Sequence, residues 1–262
     1  MSLIHAVILG IVEGLTEFIP VSSSGHLLLV HTFLGVTPND LAVDAVLQMG
    51  TIFAVLLYFR KELWRLCVTF FRLITLRQVD EKEKSILTAI IVGTVPAVCF
   101  GLLLEGYIST TFRSPTVLVI GLLFGSALMF LAERVIRTNF VSVNPKKGFL
   151  LGLFQSLALL PGVSRSGATI SGGLFLGLSR EDATRFSFLL SFPIIVGAGL
   201  KELLDLRHVT GGISLSLGVG SFVAFLVGLL SIHILIRYLR THSLHVFIYY
   251  RLLLAIAILF FL

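Results

Sequence analysis

Two stretches of this chain, 142 residues apart, repeat a single pattern. Residues 10–25, GIVEGLTEFIPVSSSG, align without a gap on residues 152–167, GLFQSLALLPGVSRSG. Gly10/Gly152, Leu15/Leu157, Val21/Val163, Ser22/Ser164, Ser24/Ser166 and Gly25/Gly167 are identical. Each copy reads as an apolar half-helix, a break rich in Pro, Ser and Gly, and a second half-helix. Paired interrupted segments in corresponding halves of a chain point to a site inside a membrane protein. The copies differ in their charges: the first carries Glu13, Glu17 and His26, and the second carries Arg165.

Composition fixes the medium. Hydrophobic residues make up 56% of the 262 and charged residues 13%, at a mean hydropathy of +1.01, whereas about a quarter of a soluble protein is charged. Apolar segments recur along the whole length, so a single integral membrane domain, 1–262, is expected. The N-terminus has no basic n-region and no small-residue cleavage site, and so does not read as a signal peptide. Cys67 and Cys99 lie far apart and indicate neither a disulfide framework nor a metal site. The net charge of +6 clusters between apolar segments, where it sets membrane orientation. Membrane lipids, and no nucleic acid, are the expected surroundings.

Segments long enough to cross a ~30 Å hydrocarbon core fall at 41–59, 86–105, 115–133, 184–203, 213–236 and 244–262. The arms at 2–34 and 148–178 are apolar but broken near their middles, too short on either side for two full crossings. Non-helical backbone at membrane depth is tolerated where protein buries it or it lines a cavity, so both arms are expected to be re-entrant hairpins. Three crossings separate them, which makes the repeat inverted. If the first arm opens outside, sixteen of the 20 Lys and Arg, with Arg251 among them, fall inside and only Arg113, Lys201 and Arg207 outside, Arg165 being set aside inside its hairpin, which fits the positive-inside rule. The expected fold is an all-α polytopic membrane protein with an inverted-topology repeat, 1–140 and 141–262. Each half has one re-entrant helical hairpin plus three transmembrane helices. Gly10, Gly14, Gly121, Gly125 and Gly197 are candidates for close helix approach.

Glu13 and Glu17 are four residues apart and share one helix face. Ionisable residues in an apolar segment mark a functional site by default; Glu17, nearest the break, ranks above Glu13, whose counterpart is the neutral Gln155. Pro20 stops the first half-helix, and Ser22, Ser23 and Ser24 supply caps and hydroxyls where the helix resumes. Free amides at a helix N-terminus form an anion site. The second arm repeats this with Ser164, Ser166 and Thr169, and adds Arg165, whose fork suits a phosphate or diphosphate. Pairing of Arg165 with Glu13 or Glu17 is the structural alternative. His26 follows the break directly, within reach in principle of Glu17. Acid/base groups, hydroxyls, amides and a clamping arginine together are the parts of a phosphoryl-transfer site. The carboxylate pair Glu13 and Glu17 could also hold Mg²⁺ or Ca²⁺.

EGLTEFIPVSSSGH at 13–26 and PGVSRSGATISGG at 161–173 closely resemble the two signature motifs of the undecaprenyl-diphosphate phosphatase family of BacA type, linked to bacitracin resistance. LQMGT at 47–51 and SREDATRFSFLLSFP at 179–193 resemble its flanking segments. The resemblance implies hydrolysis of an isoprenyl diphosphate lipid, undecaprenyl diphosphate, to the monophosphate carrier reused in cell-wall polymer synthesis. It also implies a bacterial cytoplasmic-membrane location, an active site opening to the outer, periplasmic face, and a divalent cation. By motif it carries over Glu13, Glu17, Ser23 and His26 from the first arm, and Ser164, Arg165 and Thr169 from the second. His26, Ser23 and water stay open as the nucleophile, and a homodimer stays open as the assembly. An inverted-repeat transporter or flippase for an anionic lipid is the alternative, because broken helices around a mid-membrane anion site serve carriers too.

Overall fold

The computed structural model describes residues 1–35, 41–104, 106, 114–135, 142–205 and 214–261. Among them there are helices and loops and no strand. The helices are α1 (Leu3–Thr16), α2 (Ser23–Phe33), α3 (Leu41–Tyr58), α4 (Arg60–Ile74), α5 (Glu81–Leu103), α6 (Pro115–Arg134), α7 (Pro145–Ser156), α8 (Arg165–Phe175), α9 (Arg180–Asp205), α10 (Leu215–Leu239) and α11 (His245–Phe261), with a 3₁₀ turn at Leu157–Leu159. Arg113, Arg137 and Arg207 of the charge count, and the repeat boundary at 140/141, lie outside the described residues.

Helix starts follow local chemistry. Ser114 and Asn144 accept from the amides of Val117 and Lys147, and each precedes a proline whose missing N–H is no loss at the first helical position. Four helices, α5, α6, α9 and α10, are long and apolar enough to cross a membrane; α3 makes a fifth when joined to α4, from which it is bent by 79°. The apolar α11 is shorter than that measure. These helices make the chain a multi-pass membrane protein.

Packing ties the two halves together. In the first arm α1 lies along α10, and in the second α7 lies along α5, so each arm rests on a long helix of the other half. The contact residues are the aligned glycines: a Cβ on Gly10 would collide with the Gly220 carbonyl, and one on Gly152 with the Gly93 carbonyl. Gly121 and Gly125 of α6 take the carbonyls of Pro161 and Val163 from the second break in the same way. Gly197, by contrast, has nothing within 4 Å of where a Cβ would sit, so it is not a packing glycine among the described residues. Beneath the arms, Phe18, Phe59 and Phe188 anchor the largest buried cluster. At one edge Glu133, 2% exposed at its side chain, accepts from Arg180 Nε at 2.9 Å and the Leu244 amide at 2.8 Å. This carboxylate braces the ends of α6, α9 and α11.

Candidate active site

The two breaks are built alike. Ser22 and Ser164 sit at φ 75° and 71°, a left-handed region unusual for a residue with a side chain. Each caps the helix that follows: Ser22 Oγ accepts from the Gly25 amide and Ser164 Oγ from the Gly167 amide, at 3.4 and 3.2 Å. Each also pairs with the serine two residues on, Ser24 at 3.0 Å and Ser166 at 3.2 Å. Strained backbone of this kind persists where surrounding structure over-determines it, and clusters at active sites. Here the Ser-x-Ser-Gly sequence imposes the same turn twice.

The tips of the two arms meet. Arg165 Nη2 donates to Glu17 Oε1 at 2.9 Å, Ser23 Oγ donates to Glu17 Oε2 at 2.8 Å, and the Gly162 amide lies 3.4 Å from Ser24 Oγ. The Arg165 and Glu17 side chains are 15% and 12% exposed. Both border a cavity of about 270 Å³ whose wall includes Ser22, Ser23, Ser24, Gln48 and Ser164, with Leu159, Ile194, Ile195 and Ala198 as its apolar side. Polar groups thus converge on one flank and face hydrocarbon on the other, as an amphiphile with a charged head requires. Nη1 of Arg165 is buried and, among the described residues, has no hydrogen-bond partner. One nitrogen of the fork holds the carboxylate.

Four expected site residues are off this wall. Glu13 is buried one turn back on α1, within electrostatic range of Arg165. Ser166 and Thr169 are buried; the first bonds Ser164, and the second donates to the Arg165 carbonyl at 2.5 Å within its own helix. His26 turns the other way. Its Nδ1 lies 2.8 Å from the Ser22 carbonyl oxygen, which can only accept, so Nδ1 carries the proton. In the neutral ring Nε2 then accepts from the Tyr250 hydroxyl at 2.6 Å, and the two rings stack.

Residues 6–257 match the family described as Bacitracin resistance protein BacA. The chain belongs to that family. It is 44% identical to the undecaprenyl-diphosphatase of Rubrobacter xylanophilus over 97% of this chain and 96% of that one. It is 41% identical to the undecaprenyl-diphosphatase of Thermobifida fusca over 99% and 90%, and 41% identical to that of Myxococcus xanthus over 99% and 89%.

Within this BacA-family chain, the sequence reading misplaced one residue and missed another, and both are on α11. Arg251, counted above among the inside charges, is fully buried. Its guanidinium donates to Gly162 O at 2.7 Å and Pro20 O at 3.4 Å, one carbonyl from each break, and to Leu122 O, Gly121 O and Ser126 Oγ of α6. Four carbonyls and a hydroxyl satisfy it, which is why an arginine inside an apolar helix is tolerated here. Gly125 completes the niche, since a Cβ there would strike the guanidinium. Arg251 is a clasp between the two tips. Tyr250, its neighbour, carries no motif signature; only its place in the three-dimensional structure brings it to His26.

Proposed function

We propose that this protein hydrolyses undecaprenyl diphosphate to undecaprenyl phosphate and inorganic phosphate, recycling the lipid carrier of cell-wall polymer synthesis. Relatives over nearly the whole chain carry the name of that activity. The observation that carries the reading is the Ser23–Glu17–Arg165 chain of hydrogen bonds at the cavity wall. A hydroxyl bonded to a carboxylate is a nucleophile bonded to its base, and an arginine with one unpartnered nitrogen is a phosphate clamp in waiting.

The chemistry follows from that chain. A diphosphate entering the cavity competes with Glu17 for Arg165, so the guanidinium exchanges a carboxylate for phosphoryl oxygens and Glu17 Oε1 is released. Ser23 Oγ, already donating to Glu17 Oε2, attacks the terminal phosphorus as its proton passes to the carboxylate. The bridging P–O bond breaks and undecaprenyl phosphate leaves with that proton, which restores the Glu17 carboxylate. Water, deprotonated by Glu17, then attacks the phosphoserine; the Ser23 Oγ–P bond breaks, Oγ takes the proton back from Glu17, and inorganic phosphate is released. The Ser22 and Ser164 turns keep hydroxyls and helix N-termini at the phosphate, where preorganised donors act most strongly. Ser23 is favoured over His26 because it lines the cavity while the His26 Nε2 is occupied by Tyr250.

The donor set also suits a hard cation. Glu17, the seryl hydroxyls and the Gln48 amide present oxygens to the cavity, with Glu13 behind them. Among the described residues no group of three or more His, Cys, Asp and Glu is placed to hold a metal ion, so the carboxylates here would share the ion with hydroxyl and amide oxygens. Mg²⁺ or Ca²⁺ would be held by Glu17 with support from Glu13, and would supply neutralising charge to the phosphate oxygens.

The repeated turns and the exchanged packing of α1 and α7 support a wider reading. Both arms are re-entrant hairpins of an inverted repeat in one domain, within the bacterial cytoplasmic membrane. The excess of Lys and Arg in the connections assigned to the inside supports a site that opens to the outer face.

Purified protein in detergent, where nothing can be transported, should release phosphate from undecaprenyl diphosphate. Rapid quench with labelled terminal phosphate should leave the label on Ser23. Label on His26 would move the nucleophile, and intact substrate would return the chain to the transporters.

A further inference from the structure

Helix α4 has three faces, and the described residues cover only one. Leu66 and Thr69 are buried, and Leu63 and Leu73 pack against the same core. Thr69 Oγ1 donates to Glu83 at 2.9 Å, and Glu62, the one carboxylate of the helix, is held by Arg185 at 2.6 Å. Trp64, Cys67, Phe71 and Ile74, at helical spacing, form a second face; their large side chains are 71%, 65% and 63% exposed at Trp64, Phe71 and Ile74. Lys61, Arg65 and Arg72 form a third, also exposed, on which, among the described residues, only Arg65 approaches a carboxylate, Glu83, at 3.7 Å.

Orientation decides what meets these faces. α3 packs along α10, a helix long enough to cross the membrane, and α4 leaves α3 at 79°. A helix crosswise to a spanning neighbour lies in the plane of the membrane surface. An apolar stripe beside a basic stripe is the pattern of a helix seated at the boundary between acyl chains and head groups. Basic residues at that depth attract anionic lipids.

We infer that α4 is an in-plane anchor that binds anionic phospholipid, with Trp64, Phe71 and Ile74 in the acyl boundary and Lys61, Arg65 and Arg72 on the lipid phosphates. The site is distinct from the catalytic cavity and does not depend on the reaction proposed for it.

Trp64 is the only tryptophan in the chain, so the fluorescence of the unmodified protein reports on α4 directly. Reconstituted into phosphatidylcholine vesicles doped with brominated lipid, Trp64 should be quenched more by bromines near the head group than by bromines near the bilayer centre. At equal mole fraction, brominated phosphatidylglycerol should quench about twofold or more over brominated phosphatidylcholine, given the attraction expected of three basic residues. The triple variant Lys61→Gln, Arg65→Gln, Arg72→Gln should keep the depth profile and lose the headgroup preference. Equal quenching by the two lipids in the unmodified protein would overturn the anionic site. Absence of quenching by either, with emission still blue-shifted, would place another protein surface over α4, first of all a second copy of this chain, and would overturn the anchor altogether.

Discussion

The two arms share a backbone and divide the chemistry. Ser22 and Ser164 adopt the same left-handed turn, cap the same relative amide and bond the same following serine. Yet the position that holds Glu17 in one arm is Leu159 in the other, and the position of Arg165 is Ser23 in the first. The two like turns bring both breaks to one cavity wall, with the carboxylate and hydroxyl on one arm and the guanidinium on the other. Neither arm alone has a complete site, which is why the contact between tips matters more than the contents of either.

The comparison breaks most visibly when one arm loses its unique group. Glu17→Gln should lower phosphate release by about 10²–10⁴-fold, the range for loss of a general base, with the folded protein retained on gel filtration in detergent. Arg165→Lys should lose about 10²–10³-fold, because a point charge does not replace a fork aimed at transition-state oxygens; near-normal turnover would contradict the clamp. Glu13→Gln gives the first arm the amide that the second has at Gln155. Its loss should be milder than that of Glu17→Gln, and equal losses would show that the two carboxylates share one duty.

Arg251 tests whether the tips need a clasp. Arg251→Met keeps the volume but leaves the carbonyls of Pro20 and Gly162 without a donor, so it should destabilise by about 1–3 kcal/mol, read as a lower melting temperature in detergent. A variant that melts like the parent would mean that the arms hold together without it. The smallest effects should come from the caps. Ser22→Ala and Ser164→Ala should each destabilise by about 0.5–2 kcal/mol and by similar amounts; a large asymmetry would show that one turn is functional and the other only architectural.

What was legible in the sequence was whatever the repeat wrote twice. Paired breaks, capping serines and segregated charges are local patterns, and they led to Glu17, Ser23 and Arg165 at one cavity. Contacts made by α11 were not legible. Arg251 lies 89 residues from Gly162 and 231 from Pro20, and no spacing rule links it to either. The available signal was an arginine within an apolar helix, which reads as functional by default when it is not assigned to a loop. His26 shows the opposite limit: its nearness to the break in sequence suggested Glu17 as partner. The helical turn after Ser22 instead points its ring at Tyr250.

A double-mutant cycle on Glu17→Gln and Arg165→Gln, read as unfolding free energy in detergent, tests the meeting of the arms most directly. Residues in contact should show a coupling of about 1–3 kcal/mol, and additivity within about 0.5 kcal/mol would mean that the two tips do not touch and that the shared pocket does not exist.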